Sequence, residues 1–154
     1  MKLSPHFSLA ELTRSGIAQR LNLDNTPPAD VLIALHTTAD MLERIRSTLG
    51  VPVIVTSGYR SPQVNAAVGG VSSSDHLSGQ AADIVAPAFG TPHLVATTLA
   101  PLISTLGIGQ IILEGIRGKQ WVHVSTRKPV KPGNRVLTIT DAGVRAGIHE
   151  LRSA

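Results

Sequence analysis

Two histidines and one carboxylate in two compact runs of this chain would, if folding brought them together, make an open three-ligand zinc site. His76 and Asp83 lie seven residues apart in Ser74-Asp75-His76-Leu77-Ser78-Gly79-Gln80-Ala81-Ala82-Asp83. His123 stands in a second compact run, Trp121-Val122-His123-Val124-Ser125. Two neutral imidazoles and one carboxylate give zinc three ligands and leave a site charge of about +1. The fourth position falls to water, whose pKa drops toward neutrality there. The chain has no cysteine, which excludes disulfides, thiolate zinc sites and cysteine nucleophiles and leaves histidine and carboxylate as metal ligands. Glu114 is the right kind of group to take the proton of that water and later deliver it to a leaving amine. Residue types alone leave a plainer alternative open. His76 and Asp83 also read as a hydrogen-bonded pair at a loop edge, and His123 as a strand histidine beneath Trp121.

The metal reading needs elements that bring these side chains together. Residues 81–85 read as a strand, and residues 110–114 and 121–125 as the arms of an antiparallel hairpin across a six-residue, glycine-containing loop. Alternation puts Ala81, Asp83 and Val85 on one face of their strand. Trp121, His123 and Ser125 likewise share a face, as do Gln110, Ile112 and Glu114. If the loop pairs Glu114 with Trp121, Ile112 lies opposite His123. Glu114 is then a diagonal neighbour of His123, roughly 7–8 Å away along the backbone and closer at the side-chain tips. One sheet face then carries Asp83, His123 and Glu114, and His76 arrives from the preceding loop. Ser78, Gly79, Ala81 and Ala82 are small enough for the tight turn this demands.

The remaining chain supplies the scaffold. Ser8 and Glu11 have capping-box spacing at a helix start. Pro28 opens a longer helix in which Leu32, Leu35, Leu42, Ile45 and Leu49 recur at helical spacing, with Gly50 at its end. Residues 51–56 form a β-branched strand run, residues 57–60 a turn, and Ser61-Pro62 opens a short helix that reaches Val68. Thr91 caps a helix over residues 94–106, in which Pro101 marks a kink or a boundary. A last strand is predicted over 136–139, and Asp141 as the cap of a final short helix. These elements predict one α+β domain over residues 1–154, with a small, mainly antiparallel sheet flanked by helices and 127–154 as a C-terminal extension.

At 154 residues the chain is long enough for a sizeable core. No run approaches the roughly 18 apolar residues of a membrane span. Met1-Lys2-Leu3-Ser4-Pro5-His6 has no apolar h-region. The expectation is therefore synthesis in a cytoplasm without a Sec-type signal, and a separate release factor if the protein acts outside. A formal charge of +4 favours a polyanion such as nucleic acid, anionic lipid or bacterial cell wall. The basic residues are spread out, with one mild cluster at Arg127, Lys128 and Lys131. No basic run is interleaved with aromatics, so nucleic acid is not the expected partner.

The pattern Ser74-x-His76-x2-Gly79-x-Ala81-x-Asp83 followed by Trp121-Val122-His123-Val124-Ser125 closely resembles the zinc D-Ala-D-Ala carboxypeptidase family. That family includes D,D-dipeptidases and phage L-alanyl-D-glutamate endolysins. Ser57-Gly58-Tyr59-Arg60-Ser61, with Asn65 and Gly69-Gly70, resembles the family's segment before the first ligand. Phe7-Ser8-Leu9-Ala10-Glu11-Leu12 and Asp24-Asn25-Thr26-Pro27-Pro28 resemble small phage-type members. The likeness runs from about residue 5 to residue 126. It implies a hedgehog or D-Ala-D-Ala metallopeptidase-like fold, with Zn2+ held by His76, Asp83 and His123. It implies that Arg60 stabilises the oxyanion or holds a substrate carboxylate, tasks that suit a permanently charged guanidinium. Ser74 orients the loop or the substrate in such motifs, and Trp121 walls the pocket.

The implied function is hydrolysis of a stem-peptide amide of bacterial peptidoglycan by metal-activated water, in a phage-type lysis enzyme. L-Ala-D-Glu and D-Ala-D-Ala bonds both remain open. The alternatives are a non-catalytic zinc- or wall-binding member of the same fold, such as a virion component, and a basic nucleic-acid binder, which accounts for the charge but not the motifs. One departure stands out. Many members carry the catalytic acid three residues before the last histidine, where this chain has Gln120. An amide is no general base. Either Glu114 supplies the carboxylate from the preceding arm, or the chain binds zinc without efficient catalysis. Asp75 is less suited, because it immediately precedes a ligand in a constrained loop.

Overall fold

The computed structural model describes residues 1–151. Its framework is a six-stranded mixed sheet in the order β3-β4-β6-β5-β7-β8. The strands are β3 (Ile54–Ser57), β4 (Ala81–Val85), β5 (Gln110–Ile116), β6 (Lys119–Ser125), β7 (Val136–Thr140) and β8 (Gly143–Ala146). All neighbours pair antiparallel except β5 and β7, which are parallel. A small second sheet pairs β1 (Lys2–Ser4) with β2 (Phe7–Ser8). The helices are α1 (Leu9–Thr13), α2 (Gly16–Leu21), α3 (Ala29–Leu49), α4 (Pro62–Ala67) and α5 (Pro92–Leu99). The outcome is a single α+β domain, as expected. No helix among the described residues is long and apolar enough to cross a membrane.

The two faces of the sheet have different jobs, and strand alternation assigns them. Ala82, Ile84, Ile111, Leu113, Val122 and Val124 point to the covered face and are all fully buried. They meet Leu35, Leu42 and Ile45 of α3 and Val95, Ala96 and Leu99 of α5 in one core cluster. The helical spacing of leucines along α3 thus becomes the stripe that covers the sheet. Gly50 ends α3 in the left-handed conformation, with φ of 70°, its amide bonded to the Arg46 carbonyl. The opposite face carries the row Asp83, His123 and Ile112, in register across β4, β6 and β5.

Local chemistry accounts for the element ends. The capping box of Ser8 and Glu11 forms as its spacing predicts, with both reciprocal bonds in place. Thr91 caps α5 through the Leu94 amide. The helix expected over 94–106 stops at Leu99, and Ala100–Leu102 tightens into a 3-10 turn around Pro101, whose ring displaces the preceding helical turn. The first sheet strand begins later than expected and runs into Ser57. Three features of the fold have no counterpart in the sequence pattern: the β1-β2 ribbon, the short helix α2, and the parallel pairing of β5 with β7.

Two expectations about the C-terminal half are corrected. The hairpin does not close through a six-residue loop: pairing continues to Ile116 and Lys119, and Arg117-Gly118 forms the whole turn. Both turn residues have positive φ, 53° and 77°, the primed geometry that matches the twist of the flanking strands. The register is nevertheless the one deduced, with Glu114 opposite Trp121 and Ile112 opposite His123. Asp141 does not cap a helix. Its carboxylate accepts the Arg117 amide at 3.0 Å, and residues 143–146 pair with β7 as a strand. Strand pairing satisfies those backbone groups along a free sheet edge, which a one-turn helix would leave exposed. The C-terminal boundary at 154 lies outside the described residues.

Candidate metal centre

His76 comes from the loop between α4 and β4 and is 3 % exposed. Its Nδ1 lies 2.7 Å from the Gly58 carbonyl. A carbonyl can only accept, so Nδ1 carries the proton and Nε2 keeps its lone pair for the site. The loop is held by further short-range bonds. Ser74 Oγ accepts the His76 amide at 3.2 Å, and the His76 carbonyl accepts the Arg60 amide at 3.1 Å. Gly79, with φ of 74°, makes the turn toward β4 in close contact with Val31 and Leu35 of α3. Gly79, the residue that makes the tight turn, is thus packed directly on the main helix.

Asp83 and His123 are direct partners across β4 and β6. Asp83 Oδ1 lies 3.1 Å from His123 Nδ1 and 3.2 Å from His76 Nε2. Burial would raise the Asp83 carboxyl, but the two imidazoles overcome it and hold the group well below the ordinary carboxylate range. His123 shows the reciprocal effect. Burial pulls it down, yet the bond to Asp83 and the surrounding carboxylates raise it above its ordinary 6.5.

These three residues have their donor atoms within 4.8 Å of one another. Tetrahedral zinc with bonds of about 2.0–2.1 Å sets its ligand atoms roughly 3.3 Å apart. The two carboxylate–imidazole separations are already close to that edge length, so the donor set fits zinc. The three residues singled out by type are brought together; the hydrogen-bonded-pair alternative describes the same contacts but does not explain why a third donor converges on them.

Glu114 lies at the rim of this triangle, its Oε1 3.8 Å from His123 Nδ1. Burial, and after it the charge of Asp83, push its carboxyl above the ordinary value, against the pull of His123 and Arg60. Gln120 pairs with Gly115 and alternates out of the His123 row. Trp121 stands opposite Glu114 with its indole Nε1 buried and unpartnered among the described residues. Arg60 is clamped on three sides: Nε donates to Ser57 Oγ at 3.2 Å, Nη1 to Asn65 Oδ1 at 3.1 Å, and Nη2 lies 3.6 Å from Asp83 Oδ2. It therefore supports the outer oxygen of the metal-facing carboxylate, a contact that residue type alone did not suggest.

Asp75 has a different place from the one weighed for it. Its two oxygens accept from Ser125 Oγ at 2.8 Å and Arg127 Nε at 2.6 Å. The residue before the first ligand is thereby tied to the end of the strand that carries the last one. Its adjacency to His76 was the one sequence signal for this; Ser125 and Arg127 gave none. Gly58 matters for a similar reason. A Cβ there would fall on the Leu12 main-chain carbonyl, while the Gly58 carbonyl orients His76. Gly58→Ala is expected to cost about 1–3 kcal/mol by overpacking and to weaken zinc binding about 10–100-fold by displacing a supporting partner. Urea unfolding and a chelator competition check the two effects separately.

The ion-pair chemistry sets a pH dependence. In metal-free protein the Asp83 pKa is lowered on folding, so its stabilisation is present above about pH 4 and is lost as pH falls through the folded value. The His123 pKa is raised, so its stabilisation is complete below its unfolded 6.5 and fades as pH rises through the folded value. Metal-free protein should therefore gain most from this site between about pH 4 and 6.5. Zinc needs neutral imidazole, so its added stabilisation should grow as pH rises above that window. Melting curves with chelator and with zinc across this range test both limbs.

Fold and donor set together describe an α+β domain built around a two-histidine, one-carboxylate centre of hydrolase type. Residues 5–125 match the Peptidase M15 family model, and the chain belongs to that family of zinc metallopeptidases. The matched segment contains every site residue named above except Arg127. No curated protein matches the chain.

Proposed function

We propose that this metallopeptidase hydrolyses an amide bond in the stem peptide of bacterial peptidoglycan, with Glu114 as the proton carrier and His76, Asp83 and His123 as the metal ligands. The observation that carries this reading is the Glu114 carboxylate 3.8 Å from the His123 donor atom. Gln120 holds no proton-transferring group, and Glu114 supplies one from the adjacent strand. A cavity of about 400 Å³ opens over His76, His123, Glu114 and Trp121. A bound zinc supplies Lewis-acid polarisation of water and of the substrate carbonyl there. Glu114, its carboxyl raised by burial, would accept the water proton and return it to the departing amine. Water adds across the bond: the carbonyl carbon gains an oxygen, the C–N bond breaks, and the nitrogen leaves as a free amine.

Arg60 holds Asp83 in place through one arm and lines the cavity over the centre, where a carbonyl oxygen gains charge during attack. Ser74 fixes the His76 loop, and Trp121 forms a wall of the cavity. The net charge of +4 suits an anionic wall polymer, and the sequence likeness to phage-type members adds a lysis role. Incubating the zinc-loaded full chain with purified sacculi should release new amino groups, and mass spectrometry of the fragments names the bond. Stoichiometric zinc with no amine release from any wall type would replace this reading with a zinc-dependent wall-binding protein.

A further inference from the structure

A second and larger cavity, about 770 Å³, adjoins the metal centre and shares Arg60, Asp83 and Trp121 with the cavity over it. Its composition is one-sided. Arg14 and Arg20 enter from the α1–α2 segment, Lys119 from the tip of the β5-β6 hairpin, and Arg60 from the metal side. The one carboxylate among its lining residues is Asp83, already engaged by His76, His123 and Arg60. Among the described residues Arg14, Arg20 and Lys119 form no ion pair. Cations that converge on a concave surface without counter-charges repel one another, and an anionic ligand relieves that repulsion. Between the charges lies apolar surface from Ile17, Val64 and Val68, suited to a short aliphatic stem.

We propose that this cavity is the specificity subsite of the peptidase and takes a carboxylate-bearing segment of the peptide substrate, read by Arg14, Arg20 and Lys119. The proposal rests on the peptidase reading and deepens it by naming a negatively charged residue beside the scissile bond as the preferred substrate feature. The subsite is distinct from the Arg60 position. Arg60 is fixed in place by Ser57, Asn65 and Asp83, whereas among the described residues the three outer cations have no protein carboxylate to hold. It also gives a purpose to α2, whose polar end residues do nothing for the core.

The test uses two stem peptides that differ in one group: the D-glutamyl α-carboxylate free, or converted to its carboxamide. Each is titrated into zinc-loaded full-length Glu114→Gln protein, so that binding is read without turnover. The free acid should bind about tenfold more tightly than its amide at low salt, the sum of several exposed charge contacts. The difference should shrink at 0.5 M salt, an ionic strength at which the Debye length is only about 4 Å. The triple variant Arg14→Gln/Arg20→Gln/Lys119→Gln, made in the same background, should keep its zinc and lose the preference. Equal binding of acid and amide by the parent protein overturns the proposal, as does a preference that survives in the triple variant. Failure of the underlying peptidase reading shows elsewhere, as no amine release from sacculi by the unmodified zinc-loaded chain.

Discussion

Glu114→Gln is expected to keep stoichiometric zinc and to lower kcat/KM on sacculi by about 100- to 10,000-fold, the usual worth of a positioned general acid–base. The substitution preserves shape and removes only the ability to carry a proton. Zinc should stay because the three converging donors are His76, Asp83 and His123, and Glu114 stands 3.8 Å away from the nearest of them. Burial raises the Glu114 carboxyl, which brings a carboxylate closer to the pH at which a general base works best. Among the described residues, no other carboxylate that lines the cavity is free to substitute. Asp83 is held by both imidazoles and by Arg60, and both Asp75 oxygens are occupied by Ser125 and Arg127. Hydrolysis by Glu114→Gln at the unmodified rate would show that the proton carrier lies elsewhere.

His76→Ala is expected to abolish both zinc retention and hydrolysis while leaving the sheet intact. Protein zinc sites at neutral pH are worth about 10–16 kcal/mol for four ligands. Loss of one ligand therefore removes roughly 3 kcal/mol, a hundredfold or more in affinity. A second consequence is local. The Gly58 carbonyl loses its donor, and an unpaired buried acceptor costs about 1–3 kcal/mol. Metal analysis after gel filtration reads the first effect and urea unfolding the second. A variant that carries one zinc per chain after gel filtration would remove His76 from the ligand set.

Much of the site was readable before folding, for definite reasons. Alternation along β4, β5 and β6 assigned Asp83, Glu114 and His123 to single faces, and the glycine-containing connection restricted the register enough to place Glu114 diagonal to His123. What misled was the turn itself. Arg117 does not advertise a positive-φ position, since a non-glycine residue adopts one only when its neighbours hold it there; here the Asp141 carboxylate takes its amide. Asp141 carries the signal of a helix cap, because an aspartate offers the same acceptor to a turn as to a helix. α2 leaves no signal in the sequence, because six residues containing Gly16 carry too short an apolar period.

The residue types alone determined which chemistry was open to this protein. A chain without cysteine leaves histidine and carboxylate as its metal ligands, and strand alternation places Asp83 and His123 on definite faces. Only the tertiary structure decided how those members are held. The His76 tautomer depends on Gly58, eighteen residues away, and the Asp83 orientation on Arg60, Ser57 and Asn65. The Asp75 carboxylate is placed by strand-end residues fifty and more positions downstream. The cations that flank the centre, unpaired among the described residues, come from the α1–α2 segment and the hairpin tip. Contacts of this range have no local period or spacing to betray them, because they arise where separately specified elements meet.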